Sequence, residues 1–108
     1  IPSWLGLNST SKTVTGDGST STAIDVTSAV CEVNAAGGTT PCTLADGANG
    51  QIKTIIDVSA SGSNNIVITP ANLRGGTNIT LNATGETVTL MFKNSNWNII
   101  GGHGYALA

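Results

Sequence analysis

Charge is scarce in this chain: four Lys and Arg and six Asp and Glu among 108 residues give 9% charged residues, against about 25% in an average soluble domain. The four cations Lys12, Lys53, Arg74 and Lys93 lie far apart, and the net charge is −2. Nucleic-acid binding calls for a clustered basic patch, and an electrostatic membrane anchor calls for the same, so both classes are set aside. Aromatics number four (Trp4, Phe92, Trp97, Tyr105), which leaves the apolar load to Ile, Val, Leu and Ala. No run approaches 18 apolar residues, and no basic-then-apolar leader is visible, so neither a transmembrane helix nor a signal peptide is read. The chain opens at Ile1 without Met, as a processed protein or the tail of something longer would. With only Cys31, Cys42 and a distant His103, a four-ligand zinc site has too few donors.

Ser, Thr, Asn and Gly make up nearly half of the sequence. This is low charge without the low hydrophobicity of a disordered chain, because Val and Ile recur at strand spacing throughout. The length fits one domain with one thin core, and such a chain buries about two-thirds of its unfolded surface. Residues 1–9 form an apolar lead-in with Pro2 and Trp4, a candidate docking segment, and residues 10–108 form a single all-β domain.

The most legible stretch runs from Gly85 to Gly102. Val88, Leu90 and Phe92 alternate with Thr87, Thr89, Met91 and Lys93, the period of a strand with one buried face. Asn94-Ser95 breaks the run, and Trp97 and Ile99 follow on a shared face. The segment therefore reads as a hairpin that joins Phe92 and Trp97 in one apolar cluster.

Earlier in the chain, Gly16-Asp17-Gly18 is a turn without the acidic spacing of a calcium loop. Residues 23–27 alternate as a short strand, and Val30–Asn34 and Thr39–Leu44 read as a hairpin turned at Ala35–Gly38. A two-residue loop at Ala36-Gly37 sets Cys31 opposite Cys42 and places Pro41 at a non-hydrogen-bonded site, where its missing N–H costs nothing. The pair is then either a cross-strand disulfide or two buried thiols, according to compartment. Strand 51–58 carries Ile52, Ile56 and Val58 on one face and Ile55 on the other. Strands at 65–69 and 78–83 follow, the latter with Ile79, Leu81 and Ala83 inward. The Asn-x-Ser/Thr tripeptides at Asn8, Asn78 and Asn82 fit a hydroxyl and amide ladder on a wet sheet face better than glycosylation.

Eight or nine short strands at intervals of about ten residues, with no helical periodicity and no solenoid repeat, indicate a single antiparallel β-sandwich or barrel. The thin core and uncharged faces point to further burial by self-association. No catalytic constellation is present. Carboxylates sit mostly in turns, no Gly-x-Ser-x-Gly elbow occurs, and no pair is selected for glycosidase work. No cofactor is implied either. His103, between glycines and beside Tyr105, is the one residue that could contact a metal or a glycan, but without converging partner ligands it reads first as an exposed terminal His.

The blocks 44–55 (LADGANGQIKTI), 65–73 (NIVITPANL), 75–81 (GGTNITL), 88–92 (VTLMF) and 97–102 (WNIIGG) together resemble a recurring module in structural proteins of tailed bacteriophages, notably aquatic ones, and of large algal viruses. The resemblance covers about residues 44–105. It implies a non-enzymatic virion component, a capsid decoration protein or fibre domain, commonly trimeric, contacting other virion proteins at the particle surface; the Cys31 and Cys42 pair departs from it. The alternative is a receptor- or glycan-binding module, which requires an exposed aromatic among Trp4, Trp97 and Tyr105 to stack on sugar rings.

Overall fold

The computed structural model describes residues 11–15, 21–35, 37–59 and 64–108. Trp4, the docking segment, the Gly16-Asp17-Gly18 turn and the Asn8 tripeptide lie outside these residues. The protein is all-β, with no helix among the described residues. Its strands are β1 (Ser11–Thr15), β2 (Thr22–Ala23), β3 (Val30–Asn34), β4 (Thr40–Leu44), β5 (Ile52–Asp57), β6 (Ile66–Pro70), β7 (Ile79–Leu81), β8 (Thr87–Lys93), β9 (Asn96–His103) and β10 (Ala106–Leu107). They form two five-stranded sheets, ordered β1-β3-β5-β8-β9 and β10-β7-β6-β4-β2.

The order corrects the expectation of an antiparallel fold. The first six strands alternate between the sheets, and within each sheet they pair in parallel: β1 with β3, β3 with β5, β2 with β4 and β4 with β6. Ser11 aligns with Val30 and Val30 with Thr54, so the chain winds as a coil of ~20–25 residues per turn, within the range of solenoid repeats. Sequence repetition is absent because each coil needs only inward apolar residues at alternate positions, which different residue types supply. The winding then reverses. β7 runs antiparallel to β6 and β8 antiparallel to β5, and β9 and β10 complete the two sheets.

The expected hairpin of Val30–Asn34 with Thr39–Leu44 does not form. β3 and β4 belong to different sheets, so Cys31 aligns with Lys12 and Ile55, and Cys42 with Thr22 and Ile68. The Gly37-Gly38 segment is a crossover between sheets, and a glycine turn alone does not distinguish a crossover from a hairpin. The strand read over residues 23–27 is also shorter, ending at Ala23.

One core joins the inner faces of both sheets, from Cys31, Val33 and Ile55 to Ile66, Ile68, Ile79, Leu81, Val88 and Leu90. In β5 the buried face is Lys53, Ile55 and Asp57, while Ile52 and Ile56 are only half-buried on the outer face. The richer aliphatic row thus faces outward, against the usual sense of a single-core strand.

The hairpin of β8 and β9 forms as expected, with Phe92 opposite Trp97 and Lys93 opposite Asn96. Its loop residues Asn94 and Ser95 have φ of 54° and 64°, the left-handed pair required by a two-residue turn matched to strand twist. Phe92 and Trp97 meet edge to face at 5.2 Å. The pairing skips Ile100, since Leu90 aligns with Ile99 but Thr89 with Gly101. Ile100 is the extra residue of a β-bulge and stands 53% exposed.

Candidate functional site

Where β6 ends, Pro70 leads the chain through residues 71–77 before it re-enters the sheet at β7. This segment is not loose. The Trp97 amide donates to Asn72 O and the Arg74 amide to Trp97 O, both at 3.0 Å, so Leu73 makes a parallel bridge to the start of β9. Trp97 is itself fixed, fully buried against Phe92, with its indole Nε1 donating to Ala45 O at 2.9 Å. On the far side, Thr77 and Asn78 amides donate to Ala108 O.

The space left between the loop and the β9 start is an open groove of about 380 Å³, within the range of small-molecule sites. Its walls combine Thr69, Asn72, Thr77 and Asn96 with the apolar surfaces of Ala71 and Leu73, over the buried Pro70. At its rim, Asn72 Nδ2 donates to both Asp46 carboxylate oxygens at 3.0 Å, and Arg74 Nε donates to Asn98 Oδ1 at 2.8 Å. Asn96 Nδ2 donates to Asn94 O at 3.1 Å.

The residues singled out from the sequence lie elsewhere. Trp97 is core, with no exposed ring face to offer a sugar. Tyr105 is half-buried against the core margin, and His103 is exposed at the end of β9 on the opposite hairpin terminus from Asn96. Cys31 and Cys42 are buried free thiols on inner faces of opposite sheets. Burial pushes both thiols up, Cys42 to about 12 with Cys31 adding to the shift, so neither holds a thiolate near neutrality.

The densest polar cluster is internal. Lys53 Nζ donates to Asp25 O, Ser28 O and Ser28 Oγ, and Gln51 Nε2 donates to Val26 O, so β5 grips residues 25–28 from inside. Burial lowers the Lys53 pKa, opposed by Cys31 and Asp25. Asp57, also buried, accepts the Ser59 amide on Oδ1 at 2.8 Å. No group of three or more His, Cys, Asp or Glu converges as a metal site among the described residues.

Sequence reading passed over Asn72, Asn96 and Asp46, which are 24 or more positions apart or separated by a strand crossing. The single usable signal was Pro70, which marks the strand's end without indicating what the following loop faces. No protein-family model matches the chain, and no curated protein does.

Proposed function

We propose that this chain is a non-enzymatic structural module of a virion surface, a capsid decoration protein or fibre domain, that works by assembling as a homotrimer with neighbouring virion proteins. The observation that carries the assembly role is the outer face of the β1-β3-β5-β8-β9 sheet. Val30, Ile52, Ile56 and Met91 lie half-buried on it, with Thr54, Thr87 and Thr89 between them, a Thr54–Thr89 hydroxyl contact at 3.1 Å, and one carboxylate, Glu32, in register with Ile56. An aliphatic and threonine surface with few charges desolvates at little cost, and burial of its apolar area is worth ~25 cal/mol per Å². The virion setting rests on the resemblance of residues 44–105, and the trimer on what that resemblance implies.

Light scattering on the full chain, coupled to size exclusion, tests the reading. The expected mass is three times the 10.8 kDa of one chain. A monomer at tens of micromolar removes the assembly role.

A further inference from the structure

The groove beside β6 has no part in assembly through the outer sheet face, and its chemistry selects a ligand. Among the described residues no charged side chain lines it, and the two charges at its rim, Asp46 and Arg74, are opposite in sign and already bonded to Asn72 and Asn98, so it has no net cationic anchor for a phosphate or carboxylate. Among the described residues no aromatic ring lines it to offer a platform for a nucleobase. A wholly apolar ligand would leave the amides of Asn72 and Asn96 and the hydroxyls of Thr69 and Thr77 desolvated, and unpaired polar groups are costly. The remaining class carries both hydroxyls and a C–H face and bears no charge.

We infer that this groove is a binding site for a neutral saccharide. The donor and acceptor inventory agrees with it. Asn72 and Asn96 commit their Nδ2 groups to Asp46 and Asn94, which leaves each amide oxygen to accept from a sugar hydroxyl. Thr69 and Thr77 can donate or accept, and Ala71 and Leu73 supply apolar surface for the ring's C–H face. The site is formed in advance, because the 3.0 Å bonds between Trp97 and the backbone of residues 72 and 74 hold the loop on a buried anchor. Little ordering is then required on binding. The opposite charges of Asp46 and Arg74 at the rim leave no net charge to draw an acidic sugar.

The claim does not depend on the trimer, and either can fail alone. The test is amide NMR of the full chain titrated with neutral trisaccharides of glucose, mannose and galactose, and with 3′-sialyllactose as the acidic probe. At least one neutral sugar is expected to shift residues 69–77 and the side-chain amides of Asn72 and Asn96 with roughly millimolar affinity. N72A and T77A should each weaken it several-fold and the double variant tenfold or more, with the spectrum otherwise retaining its dispersion. If N72A perturbs the fold, T77A alone carries the comparison. Absence of shifts at 20 mM sugar, shifts confined to His103 and Tyr105, or tighter binding of sialyllactose than of every neutral sugar would overturn the assignment.

Discussion

Lys53, fully buried in the middle of β5, directs its ammonium to the carbonyl of Ser28 at 2.5 Å and to the hydroxyl of the same residue at 3.0 Å. A cation in a core is tolerated only when its donors are met, and here the three partners come from the segment that joins β2 to β3. Lys53→Met would retain the stem's volume but take the ammonium from the Ser28 carbonyl and leave the Asp25 carbonyl with the Ser28 hydroxyl in place of two donors. Expected is a loss of about 2 kcal/mol, read from the midpoint of urea unfolding, with faster proteolysis near residues 25–28. Equal or greater stability in the variant would contradict this account of the cluster.

Alkaline pH tests the buried thiols. A thiol whose folded pKa is raised holds its proton when the unfolded chain has released it, so its contribution is complete below about pH 9 and is lost as pH rises toward 12. Lys53, with its pKa lowered by burial, acts in the opposite direction, since the unfolded chain then binds the extra proton up to its ordinary value of 10.5. Comparison with Cys42→Val isolates the thiol. Between pH 8.5 and 11 the wild type should lose about 2–3 kcal/mol relative to the variant. In the native state at neutral pH, both thiols should react slowly with a disulfide reagent and rapidly in denaturant.

Two backbone positions give opposite expectations. Ser95 holds a left-handed φ of 64° in the hairpin loop, a conformation glycine adopts without strain. Ser95→Gly should therefore raise stability by roughly 0.5–1 kcal/mol. Gly102 has φ of 154°, and a Cβ there would lie 2.5 Å from Thr87 O and 2.8 Å from the Tyr105 ring. Gly102→Ala should cost more than about 2 kcal/mol, measured by thermal melting.

If copies meet through the outer sheet face, Ile52→Lys and Met91→Lys, which align across β5 and β8, should each reduce the oligomer to monomer in light scattering. Residual helix-free circular dichroism and an unchanged melting profile would show that the fold survives. Lysines at both positions without any change in mass would move the interface off this face.

The last third of the chain was legible because its contacts are local. Alternation of Val88, Leu90 and Phe92, the Asn94-Ser95 break and the Phe92–Trp97 pair all lie within one hairpin. The first half misled at Gly37-Gly38, since parallel winding and antiparallel folding use the same strand pattern and the same turn residues. In β5 the alternation was correct, but which face is buried was decided by Lys53 reaching Ser28, a tertiary contact without sequence periodicity. The groove was illegible for the same reason. Asp46, Asn72 and Asn96 come together only through the Trp97 bridge to Leu73.

The winding of β1 to β6 also has a kinetic meaning. Each parallel pairing closes a chain loop of ~20 residues or more before it gains any contact, whereas the β8–β9 turn closes over two residues. Folding should then begin at the Phe92–Trp97 hairpin and add the coils outward from β5, at the millisecond-to-second pace of chains dominated by distant pairings. The strand farthest from that start, β1, would be the last to lock and the first to open, and hydrogen exchange should find it the least protected rung of its sheet.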